Sequence, residues 1–384
     1  MTAAPVIVAA RRTPIGTAGR GFAAHPVDAL AAPVLAEVAA HVAPAGLEID
    51  DVVLGNCMGP GGDLARVAAL GAGLGTSVPG VTVDRQCGSG LDAVMQAASR
   101  VRAGDARLVL AGGAESASTA PHRLWPETGE RYTRAPFTPT GFADPDMGPA
   151  AEHLAAVRGI TRDRQDAWAE RSHRLALDAQ QAGRFDDELV AVDGVARDDR
   201  PRAMTAALLG RFAPAFATEH GESAAGGGTG TVTAGNSCGF SDGAAAMAVT
   251  LPELARELGL PALRVRAAAV AAGDPALPGL GAAPAAAAAL DRAGLTARDL
   301  GFVEITEAFA AQVLAVSDAL GLDEAVVNTD GGAIALGHPW GASGAVLVVR
   351  LAARMLDADD DRPGLAACSI GGGQGIAMIV ERAA

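Results

Sequence analysis

The chain has 384 residues, 49% of them hydrophobic, and a net charge of −14. This composition excludes a disordered chain and a nucleic-acid binder, since the first lacks apolar residues and the second needs clustered basic surface. All 30 basic residues are arginines, which excludes lysine Schiff-base chemistry and leaves any ligand phosphate to Arg or backbone N–H groups.

From the N-terminus, "PVIVAA" reads as a short buried strand running into Arg11-Arg12-Thr13-Pro14. No leader-like apolar segment precedes it and no window holds 18 strongly apolar residues, so a soluble cytoplasmic protein without membrane association is expected. Strand-like "DVVLGN", "VTVD" and "RLVLAGG" then alternate with the helical patterns "VDALAAPVLAEVAAHVA" and "SGLDAVMQAASRVRAG". That rhythm predicts an α/β half with a buried sheet.

Residues 119–245 change character, with Pro, Gly, Arg and Asp replacing the alternation. They read as an insertion that forms binding loops. Within it "TRDRQDAWAERSHRLALDAQQAGRF" predicts a helix with Thr161 as N-cap and Gly183 near the C-cap. From residue 255 the rhythm resumes with "RVRAAAVAAG", "PAAAAALDRAG", "LGFVEITEAFA", "GASGAVLVVRLAARM", "LAACSIGGG" and "GIAMIVE". The predicted organisation is therefore an N-terminal half over 1–118 and 246–254, the insertion over 119–245, and a C-terminal half over 255–384. "LVLAGGAES" and "LAACSIGGGQG" are both apolar strands ending in or beside glycines, which fits a duplication and equally fits any two buried strands.

Four cysteines, Cys57, Cys87, Cys238 and Cys368, carry no C-x-x-C or His-pair spacing, so reduced thiols and no metal site are expected. Cys87 precedes Gly88-Ser89-Gly90 and an amphipathic helix. A thiol there feels the positive helix end, which lowers its pKa, and the glycines allow a sharp turn and close approach of a substrate. A buried structural cysteine is the other reading. Among the histidines, His41, His153 and His173 fall in helical patterns and read as surface groups. His338 instead sits in the glycine-rich "NTDGGAIALGHPWGASGA" ahead of Pro339, a constrained loop suited to a fixed catalytic base.

"CGSGLDA", "TEAFAAQ", "GGAIALGHPWGASGA" and "IGGGQGIAM", with "RTPIG", "VLAGGAESAS", "GRFDDELVAV" and "GTVTAGNSCGFSDGAAA" in the same order, resemble the signature blocks of the thiolase family nearly end to end. The resemblance implies the thiolase fold, five layers αβαβα from two similar halves with an inserted loop domain. It implies a CoA-dependent acyltransferase that cleaves or forms 3-ketoacyl-CoA, with CoA and acyl-CoA as substrates, no permanently bound cofactor, and assembly as a homodimer or homotetramer. By the same resemblance Cys87 is the acylated nucleophile, His338 its base and oxyanion partner, and Gly371 the second oxyanion N–H. Phe216, Phe309, Met147, Leu280 and Cys238 would line the CoA path, with Arg202 toward the nucleotide end or merely on the surface.

The chain departs from the family pattern at three places. Thr306 stands where the family has the Asn of its Asn-Glu-Ala-Phe block, which holds a catalytic water, and a threonine is shorter and lacks the amide donors. Cys238 stands for a serine. The family's acid/base cysteine directly precedes Ile/Val-Gly-Gly-Gly, where this chain has Ser369, with Cys368 one residue earlier. In a regular strand one residue changes the face, so Ser369 is expected to face Cys87 and Cys368 to point away unless a bulge re-aims it. A serine hydroxyl is a poor acid/base. Three readings follow: a working thiolase, an acyltransferase or condensing enzyme lacking efficient Claisen chemistry, and a non-catalytic CoA-binding partner. The aromatic residues Trp125, Tyr132 and Phe137 in 119–160 are candidates for an acyl pocket or an oligomer contact.

Overall fold

The computed structural model describes residues 4–216 and 230–383. Part of the Gly-rich run preceding Thr231 therefore lies outside the described residues.

The main sheet has ten strands among the described residues. On one side Gly80–Val83, Asp51–Gly55 and Leu108–Ser116 run parallel, followed by the antiparallel Ser241–Thr250 and then Val6–Arg12. On the other, Phe302–Ile305 runs parallel to Gly364–Ile370, which pairs antiparallel with Gln374–Arg382 and onward to Leu263–Ala272. The two sides join where Val6 and Ile7 meet Arg264 and Leu263, with Val265 N–H donating to Pro5 O at 2.9 Å beside them. Leu108–Ser116 and Gly364–Ile370 occupy matching places, each beside an antiparallel return strand, so the echo between "LVLAGGAES" and "LAACSIGGGQG" is a repeat in the fold. The return strand of the first half begins at Ser241, five residues inside the segment the sequence assigned to the insertion.

Every residue of Leu108–Ser116 and Ser241–Thr250 is buried, which is why these strands read as continuous apolar or small runs: helices cover both faces. Helices Val27–Val42 and Leu64–Gly71 pack outside the first side. Helices Ser89–Ala103 and Trp340–Asp357 fill the space between the two sides, and Ala282–Ala293 with Ala310–Leu320 cover the far face. These make five layers. The two central helices touch through glycines: a Cβ on Gly90 would lie 2.8 Å from Ala345 N, and one on Gly344 would lie 2.5 Å from Leu91 N.

The predicted insertion helix is observed as Arg162–Gln181, with the Thr161 hydroxyl accepting from Arg164 N. The insertion is tied to the halves by buried charge. Arg12 of the first strand binds Glu188 at 2.6 Å and Asp198 at 2.7 Å, while Arg350 of the central helix binds Glu188 and Asp330. Among the described residues no helix is long and apolar enough to cross a membrane.

Candidate active site

The two central helices begin at one place. Cys87 precedes the first, after a turn in which Gln86 adopts a left-handed φ of 47°. Ser89 closes that turn: its hydroxyl donates to Gln86 O at 2.6 Å and accepts from Arg85 N at 2.8 Å. The glycine after Cys87 serves packing, since it has φ −90° and a Cβ there would lie 2.5 Å from Ile370 Cδ1 and 2.9 Å from Ile376 Cγ2. The absence of that Cβ lets the thiol loop sit directly on the strand bearing Cys368.

The expected lowering of the Cys87 pKa is overturned. Burial pushes its thiol well up, Cys368 and Cys238 add to the rise, and only its own backbone hydrogen bond among these groups opposes it. A partial positive charge at a helix end does not outweigh loss of water around a thiolate. Cys57 belongs to the same group of thiols, with Sγ 3.7 Å from Ser89 Oγ and a pKa raised by burial, Glu115 and Cys87. All four cysteines of the chain are free.

His338 precedes the second central helix and is buried. Its Nδ1 lies 2.6 Å from Ser343 Oγ, its backbone N–H donates to Ser241 Oγ at 3.1 Å, and its Nε2 has no partner among the described residues. Burial lowers its pKa to about 4, so the ring is neutral near pH 7. With the proton on Nδ1 and donated to Ser343, Nε2 carries the free lone pair of a base. A neutral thiol and a neutral imidazole thus replace the preformed ion pair that a lowered cysteine pKa would have made.

The expectation for the last strand is also overturned. Gly364–Ile370 pairs in unbroken register with Gln374–Arg382, Cys368 opposite Ile376 and Ser369 opposite Gly375. Alternation along this unbulged strand sends Ala366, Cys368 and Ile370 to the central layer that holds both catalytic-site helices. Leu365 and Ala367 face the outer one. Ser369 follows them: its hydroxyl donates to Gly279 O at 2.7 Å and accepts from Ala282 N at 3.1 Å and Gln312 Nε2 at 3.4 Å. The position directly before Ile370, which the count from the glycines selects, thus faces the outer layer, and the cysteine one place earlier faces the central one. Cys368 is fully buried, its pKa pushed up to about 12 by burial with Thr306 opposing, and Thr306 Oγ1 lies 3.1 Å from its Sγ.

Phe137 of the insertion lies over the glycine turn, so that a Cβ on Gly371 would come 2.6 Å from its ring. Trp125 and Tyr132 instead stack on each other at 4.3 Å. The expected CoA-path residues divide. Phe216 and Phe309 meet edge to face at 6.2 Å and share an apolar cluster with Leu280. Phe216 also covers Gly148, next to Met147 at the start of helix Met147–Arg158. Cys238 donates its N–H to Ala308 O at 3.0 Å beside them. Arg202 is exposed, its Nη1 donating to Arg200 O at 3.3 Å. His173, expected at the surface, is 1% exposed, and burial lowers its pKa to about 3, with the charges of Arg202 and Arg200 adding to the fall.

Sequence reasoning missed the supporting carboxylates. Glu115 is buried and accepts from Cys57 N at 3.1 Å, Met58 N at 3.1 Å, Gly341 N at 3.0 Å and Asn56 Nδ2 at 2.8 Å, fixing the loops around both helix starts. Glu307 accepts from Trp168 Nε1 at 3.0 Å, Asn328 Nδ2 at 2.8 Å and Ser172 Oγ at 2.7 Å, which holds the turn after Thr306. Both follow apolar strands in the sequence, and an acid in that position is a detectable signal. Ser343, five residues after His338 and one helical turn inside, is another.

Residues 5–252 match the family model for the thiolase N-terminal domain and residues 260–382 the one for the thiolase C-terminal domain. An acetyl-CoA acetyltransferase of Cupriavidus necator is 42% identical, the alignment covering 98% of this chain and 99% of that protein. One from Pseudomonas aeruginosa is 40% identical over the same shares. The crystal structure of the Bacillus anthracis acetyl-CoA acetyltransferase superposes with a TM-score of 0.90 at 36% identity, covering 100% of this chain and 99% of that one. Matched in both halves and over its whole fold, the chain belongs to the thiolase family of CoA-dependent acyltransferases.

Proposed function

We propose that this thiolase-type acyltransferase works through an acyl-Cys87 intermediate and cleaves or forms short-chain 3-ketoacyl-CoA, with acetyl-CoA as the two-carbon partner. The observation that carries this reading is that the two central helices start against each other, with Cys87 ahead of one and a neutral His338, its Nε2 free among the described residues, ahead of the other, while Cys368 faces the same layer and adds to the rise of the Cys87 pKa. His338 Nε2 takes the Cys87 proton as sulfur attacks the thioester carbonyl, and the backbone N–H groups of Cys87 and Gly371 receive the oxyanion. CoA leaves as its thiol, taking that proton. For condensation, Cys368 as thiolate removes a proton from the methyl carbon of a second acetyl-CoA. The carbanion attacks acyl-Cys87, the new C–C bond forms as the Cys87 S–C bond breaks, and the proton returns from Cys368 to Cys87. Cleavage runs these steps backward: Cys368 first takes the Cys87 proton and, now the thiol that its raised pKa favours, delivers it to the departing carbanion as Cys87 sulfur attacks the ketone.

Phe216, Phe309, Leu280, Met147 and Cys238 are assigned to the pantetheine path and Arg202 to a phosphate at the solvent end. The reading of an enzyme without Claisen chemistry rested on Ser369 in the acid/base position, and the orientation of Cys368 removes its motive. The exposed apolar residues Leu124, Trp125 and Phe142 support a homo-oligomer, and the free thiols support a reducing, cytoplasmic setting.

The test is CoA-dependent cleavage of acetoacetyl-CoA together with intact-mass detection of an acetyl adduct. Wild type should do both and Cys87→Ala neither. An adduct on wild type without cleavage would refute the thiolytic assignment, and labelling that survives Cys87→Ala would refute the nucleophile.

A further inference from the structure

Two of the chain's departures from the family pattern meet in one contact. Strand Phe302–Ile305 runs parallel to Gly364–Ile370 with Ile305 level with Ala367, and the ladder is prolonged by Thr306 N–H donating to Ala367 O at 3.1 Å. Continuing that register sets the next side chain on one strand against the next on the other, and Thr306 Oγ1 reaches Cys368 Sγ at 3.1 Å. Thr306 is 2% exposed and Cys368 0%. Each is the other's hydrogen-bond partner among the described side chains.

The cysteine stands one residue further from the glycine turn than the family pattern has it, a shift of about 3.3 Å along a strand. That shift carries the sulfur toward the end of the neighbouring strand, where the residue is a threonine in place of the longer asparagine. The contact is already short for a sulfur, so an asparagine at 306 would have to displace the thiol or turn its amide elsewhere.

We propose that Thr306 is a positioning residue for the acid/base thiol: its hydroxyl binds Cys368 directly in both of its protonation states, and the short side chain at 306 is matched to the shifted cysteine. The proposal rests on the reading of Cys368 as the acid/base group. When Cys368 is a thiolate the Thr306 O–H donates to it. When Cys368 has taken the substrate's α-proton, its S–H donates back to Thr306 Oγ1. A hydroxyl rotor serves both states without gaining or losing a proton, so the proton count of the condensation is unchanged. What Thr306 contributes is a fixed direction for sulfur and a stabilised thiolate.

The experiment uses the full-length protein with acetyl-CoA in D2O. It follows deuterium entry into the acetyl methyl group across pH, and in parallel acetylation of Cys87 by intact mass. Thr306→Val removes the hydroxyl at constant shape. Exchange should fall about ten- to a hundredfold, the factor carried by a hydrogen bond to a charged group, and its pH midpoint should move up while Cys87 acetylation persists. Thr306→Ser should keep most of the exchange. Thr306→Asn, although it restores the family residue, should fall as far as Thr306→Val. The proposal is overturned if Thr306→Val keeps both rate and midpoint, if Thr306→Asn matches or exceeds wild type, or if Thr306→Val loses acetylation in step with exchange. Cys368→Ala separates the two levels of the argument: exchange surviving in it removes the acid/base reading and this proposal together. Exchange lost in it but untouched in Thr306→Val removes the proposal alone.

Discussion

Cys368 and Ser369 are adjacent, yet their replacement by alanine should fail in opposite ways. Cys368→Ala deletes one buried sulfur, a packing loss of about 1 kcal/mol, and removes the acid/base group. General acid–base catalysis is worth about 10²–10⁴ in rate, or about 3–5 kcal/mol of barrier, so kcat for acetoacetyl-CoA cleavage should drop by that factor with the melting temperature little moved. Ser369→Ala should do the reverse. It strips Gly279 O of its 2.7 Å donor and Ala282 N, at the start of helix Ala282–Ala293, of its 3.1 Å acceptor. Buried polar groups left unpaired cost about 1–3 kcal/mol, with the lower end expected because Ser369 is half-buried. Cleavage should stay within about threefold of wild type. Loss of the acetoacetyl-CoA enolate absorbance gives the rate and urea unfolding gives the stability. If Ser369→Ala loses cleavage a hundredfold or so at unchanged stability while Cys368→Ala remains active, the orientation of the strand, and the mechanism built on it, are wrong.

Other expectations follow from the same geometry. Buried His338 and His173 have pKa values lowered from 6.5 to about 4 and about 3. The unfolded chain therefore takes up protons that the folded chain refuses, and stability should decline as pH falls below about 6.5, levelling off once both rings titrate in the fold. Urea midpoints at neutral and mildly acid pH measure this, and an unchanged midpoint would contradict the burial of these rings as the controlling factor. Over the same range Cys87 acetylation should not show an inflection near 6.5, since His338 stays neutral; a sharp loss there would mean an ordinary imidazole. Arg350→Met takes one guanidinium from both Glu188 and Asp330 and should cost about 3 kcal/mol in urea unfolding, the lower end for a broken buried pair because Arg12 still binds Glu188 and Arg184 still binds Asp330, whereas Arg362→Gln, at an exposed pair with Asp360, should not register. Gly88→Ala drives a methyl into Ile370 and Ile376, so a stability loss of about 1–3 kcal/mol should accompany reduced Cys87 labelling.

Much of the fold was legible because its strands are covered on both sides and read as uninterrupted apolar runs, and because "CGSGLDA", "GGAIALGHPWGASGA" and "IGGGQGIAM" keep glycines where helix meets helix or helix meets strand. The places of Cys87 and His338 in the fold were legible for the same reason: both stand just ahead of a central helix after a constrained turn. The face of Cys368 was not. Family spacing counted from the glycines predicts Ser369, whereas pairing with Ile376 and Gly375 fixes the alternation from the other strand, and that partner is invisible in a single stretch of sequence. The sign of the Cys87 shift was missed because a helix end is local and readable, while the burial that opposes it comes from residues distant in the chain, such as Ile370 and Ile376 against Gly88, with Cys368 adding to the rise. Glu115 and Glu307 were passed over since acids at strand ends usually face solvent.

The charged seam formed by Arg12, Glu188, Asp198, Arg350 and Asp330 sets a rule for remodelling this enzyme's specificity. Glu188 and Asp198 belong to the insertion, while their arginines belong to a strand of one half and a helix of the other. A chimera that exchanges only the segment before helix Arg162–Gln181, where Phe137 meets the glycine turn, leaves those five residues together and can take a new acyl group. One that exchanges the insertion whole must import both acids in register, or Arg12 remains buried without a counter-ion and Arg350 keeps Asp330 alone. The cut points for loop grafting are thus set by electrostatics inside the protein and not by where the loops look most variable.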